Sequence, residues 1–401
     1  MEKKILVIAS TFPRWKDDNS PRFVYDLSEN LSSKYKIIAL VPHDKDAKKK
    51  EIMGKLEVRR FAYFKPESLQ RLCYGGGMIP NMKHSFLAKM QMPLLILSEF
   101  FASYRVIKKE PISMLHAHWM LPQGFIGVFL KKLYDVPLLV TVHGSDLFPL
   151  KNQLFKKLQY FVIKNCDKIT VNSEATKKEL VQRFPEYSSK VKIIPMGVNI
   201  NLFKKTKIKK PKKYIKNKIL LFVGRLSDQK GLQYLVDSMV DLVRYDKQIK
   251  LLIIGEGPYE KTIRGRANSK KVSHNLEFLG SMPPNKVAEY HNFADVFILP
   301  SLSNKTGTEA LGLSLLEAMA SGCAVIGTNV GGISFAIKDG YNGLLVKQKD
   351  CHTLSHAIIT LLKNKKKSLN MGKNAAKFVR GSYSWEKVSK DFMKIYDGLL
   401  K

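Results

Sequence analysis

Two glutamates lie eight residues apart in the stretch from Pro300 to Ala320, with Gly312 between them. Glu309 and Glu317 are carboxylates, which accept hydrogen bonds from the vicinal hydroxyls of a sugar or a ribose. The segment that ends at Pro300 reads as a buried strand, followed by a polar loop and an apolar helix that begins near Leu313. The first turn of such a helix leaves backbone N–H groups unpaired, which suits a phosphate or a hydroxyl. For an arbitrary pair of glutamates, a residue facing the helix dipole and a solvated loop residue are the simpler reading.

Two cations follow another predicted strand in L-L-F-V-G-R-L-S-D-Q-K-G, which spans Leu220 to Gly231. Arg225 can hold a phosphate through a bidentate fork, and Lys230 can hold one as a point charge. When a diphosphate departs, negative charge builds up in the transition state, and fixed cations stabilise it without a metal. Taken alone, an arginine and a lysine five residues apart are more simply two solvated cations in a glycine-flanked turn.

The surrounding motifs favour the functional interpretation. The run E-A-L-G-L-S-L-L-E-A-M-A-S-G resembles the E-x7-E signature of retaining glycosyltransferases of family 4, which have the GT-B fold. The segment carrying Arg225 and Lys230 resembles the strand and loop of that family that bind the donor diphosphate. H-A-H-W-M-L-P-Q-G, from His116, and H-G-S-D, from His143, resemble motifs of its N-terminal half. The resemblance covers nearly the whole chain and implies two Rossmann-like parallel-sheet α/β domains facing a central cleft.

The resemblance also assigns roles to individual residues. It implies catalytic roles for Arg225, Lys230, Glu309 and His143, with Glu309 on the hydroxyls of the donor sugar. The implied donor-binding residues are Glu317, Gly312, Leu313, Ser281, Met282 and Gly255. The reaction implied retains the anomeric configuration through front-side attack, in which the departing diphosphate helps to take the proton of the acceptor. It needs no protein nucleophile, no metal and no cofactor other than the nucleotide sugar as co-substrate.

Several of these assignments leave an alternative open. A tight turn explains G-E-G-P at Gly255 as well as a nucleotide contact does. His143 ends a predicted strand, where its ring could bond the transferred sugar or the diphosphate. His118 is a second-rank candidate, because it and His116 point the same way on a strand and could equally pack around Trp119. No third ligand completes a metal site there.

Two further second-rank candidates lie in loops of the first half. Asp146 is expected to hold the H-G-S-D turn through its own backbone. The first loop of the family often carries a Gly-Gly pair against the donor phosphates, whereas this chain has Ser20 and Pro21. Because proline lacks an N–H group, we expect Arg14 or Arg22 to substitute as a cationic partner.

The length and composition predict two domains. A chain of 401 residues with 45 % hydrophobic content can bury two ordinary cores. Short apolar runs alternate with longer amphipathic ones, which predicts parallel sheets flanked by helices, with ligands at the carboxyl ends of the strands. We place the domains at 1–201 and 202–383, with the terminal helix 384–401 packing back on the first. The predicted strands are Ile5–Ala9, Ile37–Val41, Met114–His116, Leu138–Val142, Lys168–Val171 and Val191–Ile194, then Ile219–Val223, Lys250–Ile254, Leu276–Leu279, Val296–Leu299 and Ala324–Gly327.

The formal net charge of +34 indicates an anionic partner. Nine lysines between Lys204 and Lys218 read as a solvated linker. No aromatic-lined basic groove or nucleic-acid module is recognisable, so no nucleic-acid partner is expected. The apolar run from Phe86 to Tyr104 is too interrupted to span a membrane and is predicted to be a buried helix. A basic surface leaves peripheral binding to anionic membrane and a lipid-linked acceptor as hypotheses.

The expected location is the cytoplasm, with the inner face of the cytoplasmic membrane as the peripheral site. The four cysteines form no C-x-x-C pair, which favours reduced thiols, and the first apolar run is too short for a signal peptide. Two other functional classes remain open. A nucleotide-sugar epimerase or a phosphorylase shares the architecture, although no lysine motif for pyridoxal phosphate is visible. A non-catalytic protein that binds carbohydrate or nucleic acid is the other alternative.

Overall fold

A computed structural model describes residues 3–16, 18, 20–75, 77–304 and 307–401. The chain divides into two compact units, which comprise residues 1–197 with 388–401 and residues 198–387. The division predicted from the sequence places these boundaries after residues 201 and 383.

The first unit is built on one sheet with the strand order β3-β4-β2-β1-β5-β6-β7-β8. The strands are β1 Lys4–Ile8, β2 Lys36–Pro42, β3 Lys50–Met53, β4 Leu56–Phe61, β5 Ile112–His118, β6 Leu138–Val142, β7 Lys168–Val171 and β8 Val191–Ile193. All neighbouring strands are parallel except β3 and β4. Every residue of β6 is buried, as expected for a strand of a parallel sheet that helices cover on both faces.

Helices connect these strands. They are α1 Phe23–Leu31, α2 Met78–His84, α3 Phe86–Lys109, α4 Phe125–Tyr134, α5 Gln153–Asn165 and α6 Glu174–Arg183. Three of them begin at polar residues that cap the first turn. The side-chain oxygens of these residues, Ser85, Asn152 and Ser173, each accept a hydrogen bond from the backbone N–H of the residue three positions later, at 2.9 to 3.2 Å. Such caps fix where a helix starts.

The second unit has a six-stranded, fully parallel sheet in the order β11-β10-β9-β12-β13-β14. Its strands are β9 Lys218–Val223, β10 Ile249–Ile254, β11 Leu276–Phe278, β12 Val296–Leu299, β13 Val325–Thr328 and β14 Leu344–Val346. Its helices are α7 Leu232–Tyr245, α8 Glu260–Ser269, α9 Pro284–Phe293, α10 Leu313–Ala320, α11 Ile333–Ala336, α12 Cys351–Lys363 and α13 Lys365–Ser382.

The last helix, α14 Trp385–Leu399, begins in the second unit and enters the first at Val388. Its Tyr396 hydroxyl lies 2.7 Å from Nδ1 of His116, and Asp397 accepts a 2.7 Å hydrogen bond from the Tyr35 hydroxyl. These polar contacts, together with the buried ring of Phe392, fix the helix against the first sheet.

All the predicted strands are confirmed, with ends that differ by at most two residues. Strands β3, β4 and β14 are absent from the prediction. Strand β3 has exposed residues at the edge of the sheet, and β4 alternates buried with half-buried residues. Neither forms the continuous apolar run that marks the other strands.

Two other expectations are wrong in part. One side of α3 is exposed instead of buried, with 77 % of Phe86 and 54 % of Leu97 accessible. The lysine-rich segment lies on the second unit and is anchored there. Tyr214 is buried within it, and Lys210 and Lys213 form ion pairs with Asp295 and Glu277 at 2.9 and 2.8 Å. Burial of the Tyr214 ring holds this segment against the second unit, although its lysines favour contact with water.

Candidate functional site

Backbone hydrogen bonds join the loops that follow β9, β10 and β11. Gly224 N–H donates to the Ile254 carbonyl at 3.0 Å, and Gly255 N–H donates to the Gly280 carbonyl at 2.8 Å. These bonds place four predicted site residues, Arg225, Gly255, Ser281 and Met282, in adjoining loops at the carboxyl edge of the sheet. The Ser281 N–H donates to the carboxylate of Glu256 at 3.2 Å. Glu256 was not among the predicted site residues. Its position just after a buried strand was the sequence signal that could have indicated it.

The loop after β12 is drawn against the loop after β9. Leu302 N–H donates to the Gln229 carbonyl at 2.7 Å. Gly231 has a φ of +67°, and a Cβ atom at this position would lie 1.9 Å from the Pro300 carbonyl oxygen. Only glycine permits this approach. The close contact of the two loops sets Lys230 beside Glu309.

Lys230 and Glu309 form an ion pair, although 79 positions separate them in the sequence. Lys230 Nζ lies 2.6 Å from Glu309 Oε2, and the side chains are 22 % and 14 % exposed. The Ser301 hydroxyl donates to the same oxygen at 2.9 Å. Burial by itself would raise the pKa of Glu309, but the charge of Lys230 and the hydrogen bonds from Lys230 and Ser301 outweigh burial and lower it. Glu309 is therefore a carboxylate at neutral pH, held next to an ammonium group.

The backbone of Glu309 is held by the loop after β13. Gly332 N–H donates to the Glu309 carbonyl at 2.7 Å. A Cβ atom on Gly331, where φ is +49°, would lie 2.0 Å from that same oxygen. The Gly-Gly pair at 331–332 thus positions the glutamate loop through direct backbone contact.

Helix α10 follows this loop and carries the second glutamate. Gly312 precedes its first residue, Leu313, and Glu317 lies in the second turn with a half-buried side chain. Arg225 is also half-buried, and burial lowers the pKa of its guanidinium. An arginine remains cationic under these conditions. This edge of the second unit therefore carries the cations Arg225 and Lys230 and the carboxylates Glu309 and Glu317, supported by ordered loops.

In the first unit, Asp146 organises the turn after β6. Its Oδ1 accepts the backbone N–H groups of His143 and Gly144 at 3.1 and 3.0 Å, and its Oδ2 accepts that of Met120 at 2.5 Å. Burial raises the pKa of Asp146 to about 6, against the opposing effect of these bonds. The prediction that Asp146 holds the turn is confirmed, and the bond to Met120 extends its hold to the segment after β5.

The two histidines at the ends of β5 and β6 form a pair. His118 Nδ1 lies 3.0 Å from His143 Nε2, and their rings stack with a 16° angle between planes. The rings of Phe23 and Trp119 pack against His143 with centroids 4.9 and 4.8 Å away. Burial lowers the pKa of His143 to about 3 and lowers that of His118 well below its ordinary value, with His116 and His143 adding to the latter. Both rings are neutral at pH 7.

His116 lies deeper in the unit. Its two ring nitrogens contact the Tyr396 and Thr141 hydroxyls, each at 2.7 Å. Burial lowers the pKa of His116 to about 3. Because both nitrogens are occupied within the core, His116 is a structural residue, whereas His143 is half-buried at the edge of the sheet.

Arg14, the predicted phosphate partner, forms ion pairs with two aspartates. Its guanidinium contacts Asp18 at 2.8 and 2.9 Å and Asp44 at 3.0 Å. The hydrogen bond with Asp18 is the main cause that raises the pKa of Arg14. Burial would raise the pKa of Asp18, but the bonds from Arg14 lower it to about 2. Arg14 therefore holds the first loop of the unit in place.

Within the described ranges, no three His, Cys, Asp or Glu side chains are grouped so that they could hold a metal ion. Among the same residues, no helix is both long and apolar enough to cross a membrane.

Comparisons with known proteins show the family of the chain. Residues 203–378 match the family described as glycosyl transferases group 1, and residues 20–202 match the glycosyltransferase family 4. An uncharacterised glycosyltransferase of Methanocaldococcus jannaschii is 31 % identical over 81 % of this chain and 86 % of its own length.

Two solved structures share the fold. Sucrose-phosphate synthase from Thermosynechococcus elongatus superimposes with a TM-score of 0.79 at 22 % identity, covering 99 % of each chain. Anabaena HepE in complex with UDP gives a TM-score of 0.76 at 16 % identity, covering 99 % of this chain and 100 % of its own. The chain therefore has the GT-B fold and belongs to the group 1 glycosyl transferases, with an N-terminal half of the family 4 type.

Proposed function

We propose that this protein is a retaining glycosyltransferase that moves a sugar from a nucleoside-diphosphate sugar to a glycan or lipid-linked acceptor, without a metal. The observation that carries the proposal is the Lys230–Glu309 ion pair at the carboxyl edge of the second sheet, in loops that adjoin Arg225. Cations suit the diphosphate, and carboxylates suit sugar hydroxyls. The likeness in fold to a protein bound to UDP supports a nucleoside diphosphate as the leaving group.

Each group at this edge has a distinct role in the proposal. Lys230 and Arg225 stabilise the negative charge that grows on the diphosphate as the bond to the sugar breaks. Glu309 accepts hydrogen bonds from hydroxyls of the transferred sugar, and Glu317 accepts them from the ribose. The backbone around Ser281 and Met282 borders the base. Because the ion pair and the Ser301 hydroxyl hold the Lys230 and Glu309 side chains in place, little side-chain reorganisation is needed in the transition state.

The proposed reaction exchanges one bond at the anomeric carbon. The bond from this carbon to the diphosphate oxygen breaks, and a bond from the acceptor oxygen forms on the same face. The acceptor proton moves to the departing diphosphate, so no protein residue has to accept it. Neutral His143, held by His118 at 3.0 Å, can bind a hydroxyl or a phosphate oxygen without adding charge.

The acceptor and the cellular site are further parts of the proposal. The +34 net charge supports work at an anionic surface. We place the enzyme in the cytoplasm, peripheral to the inner face of the cytoplasmic membrane, where a lipid-linked acceptor is within reach.

A thermal-shift screen with UDP-, GDP- and ADP-sugars tests the donor site. Ligand at about 100 times its Kd stabilises a protein by about 2.7 kcal/mol, so one nucleotide class should raise the melting temperature of the wild type. Arg225→Ala should lose this shift. Arg244→Ala is the matched control, because the Arg244 side chain is 80 % exposed on α7. No shift with any donor would contradict a donor site.

Product analysis tests the reaction itself. NMR of the product should show the donor's anomeric configuration, and EDTA should leave the rate unchanged. An inverted product or a rate lost in EDTA would overturn the corresponding part of the proposal.

A further inference from the structure

The outer surface of α3 exposes an apolar stripe. Its five residues, Phe86, Met90, Leu94, Leu97 and Phe101, recur at spacings of three and four, so they share one face of the helix over about 22 Å. Their exposed fractions run from 40 % to 77 %. Exposed apolar stripes of this length on a protein surface mark an interaction site with another macromolecule or a membrane.

The stripe continues onto the neighbouring helices. The rings of Tyr104 on α3 and Tyr134 on α4 lie 5.8 Å apart, and those of Phe129 on α4 and Phe161 on α5 lie 5.5 Å apart. Phe129 is itself 45 % exposed. Helices α3, α4 and α5 therefore present a single outer face, which we call the α3–α5 face.

The helices of this face carry an excess of cations. Helices α3, α4 and α5 carry four, two and three lysines or arginines in their sequences. Their acidic content is limited to Glu99, which is fully buried against the core. An apolar stripe on helices with such an excess of lysines and arginines is complementary to a bilayer with anionic headgroups.

A cavity opens beside the stripe. It has a volume of about 480 Å³ and is lined in part by Leu97, Phe101, Arg60 and Arg105. Arg105 is exposed. Arg60 is buried, and its Nε has no hydrogen-bond partner among the described residues, although its Nη atoms bond Glu51 and backbone carbonyls. Two arginines next to two exposed apolar side chains suit the phosphate and the first methylenes of an acidic lipid.

We infer that the α3–α5 face docks on an anionic lipid bilayer, with a headgroup phosphate in the cavity at Arg105. A second copy of this chain fits less well, because a two-fold dimer through this face would oppose two surfaces that each carry an excess of cations. This inference rests on the peripheral location in the proposed function but not on the transfer chemistry, which is measured separately.

Vesicle flotation tests the inference with the full-length protein. The wild type should bind phosphatidylcholine vesicles containing about 30 mol % phosphatidylglycerol at least tenfold more tightly than pure phosphatidylcholine, and less tightly in 0.5 M salt. The double variant Leu97→Gln, Phe101→Ser should weaken binding by about 10- to 30-fold, since two half-exposed apolar side chains no longer enter the bilayer. Arg105→Glu should weaken binding to the anionic vesicles alone.

Leu369→Gln on α13 is the matched control, because Leu369 is 50 % exposed and lies on the second unit. It should bind as the wild type does. Melting temperatures establish that each variant is folded. Equal vesicle binding by the wild type and the Leu97 and Phe101 double variant would overturn the inference, and so would the absence of binding to anionic vesicles. A wild-type dimer that dissociates in the double variant would overturn it as well. Binding to RNA that competes with vesicles and persists in the double variant would also overturn it.

Turnover of the donor, measured in the same preparations without lipid, separates the two proposals. Vesicle binding with no turnover by the wild type would contradict the transferase chemistry only. Turnover with no vesicle binding would contradict the docking surface and the peripheral location, and would leave the transfer chemistry in place.

Discussion

Replacing Glu309 by glutamine removes a negative charge from the edge where Lys230 lies and keeps nearly the same shape. Lys230 Nζ is 2.6 Å from Glu309 Oε2. A diphosphate that binds Lys230 must therefore approach a carboxylate that already neutralises the ammonium group. Glutamine removes the repulsion between that carboxylate and the phosphates. We expect Glu309→Gln to keep or increase the affinity for a free nucleoside diphosphate while it slows sugar transfer.

The magnitudes follow from the partial exposure of the pair, 22 % for Lys230 and 14 % for Glu309. Screened charges about 5 Å apart repel by about 1–2 kcal/mol, so removing this repulsion should increase the affinity for the free nucleotide by at most about 5- to 30-fold. Hydrogen bonds between sugar hydroxyls and a charged carboxylate contribute about 1.5–3 kcal/mol, so kcat/KM should fall by about 10- to 150-fold. Lys230→Met should instead lower the affinity for the free nucleotide by about 10- to 100-fold.

Isothermal titration calorimetry with UDP, GDP and ADP measures the first quantity, and release of nucleotide from the matching sugar donor measures the second. Glu277→Gln is the control, because it breaks the 2.8 Å ion pair with Lys213 on the same unit. It should change neither quantity.

The two variants are expected to move nucleotide affinity in opposite directions. If Glu309→Gln and Lys230→Met lowered the affinity for the free nucleotide to the same extent, Glu309 would act by orienting Lys230. Its proposed contact with the sugar would then be refuted. Normal kcat/KM in Glu309→Gln would refute that contact directly.

Three further predictions concern stability. His143 has a pKa near 3 in the folded protein, so the unfolded chain binds the extra proton below its pKa of about 6.5, and folding loses stability as the pH falls. As the pH falls from 6 to 4, the free energy of unfolding of His143→Gln should rise relative to that of the wild type by about 1.4 kcal/mol per pH unit. If urea denaturation gave the same difference between the two proteins at every pH, the prediction would be contradicted. Burial raises the pKa of Glu99 to about 8, so the folded protein binds the extra proton and stability falls as the pH rises toward 8. As the pH rises from 5 to 9, the free energy of unfolding of Glu99→Gln should therefore rise by about 3–5 kcal/mol relative to that of the wild type. Equal urea midpoints for the variant and the wild type at both pH values would exclude this prediction. Gly231→Ala should lose at least about 2–3 kcal/mol, because its Cβ would lie 1.9 Å from the Pro300 carbonyl oxygen. Gly265→Ala in α8, where nothing lies within 4 Å of the added Cβ, should instead gain about 0.5–1 kcal/mol, and similar melting temperatures for the two variants would contradict the steric argument.

The sequence by itself determined most of the strands and the family. Strands such as Leu138–Val142 and Val296–Leu299 are continuous apolar runs between polar loops, and this is a local property that a folded parallel sheet preserves. The loop positions of Arg225 and Glu309 follow from the same local pattern, because each comes shortly after a strand. The type and spacing of these residues carried the resemblance to the family.

The tertiary structure alone decided which of these groups meet. Lys230 and Glu309 are 79 positions apart, and His118 and His143 are 25 apart. Their pairing depends on strand order and on close loop contacts such as that at Gly231. The exposed side of α3 is a further case, because an apolar sequence shows that a helix is hydrophobic but not which of its faces finds a neighbour. Burial is a property of the packed chain, and so are the pKa shifts that follow from it.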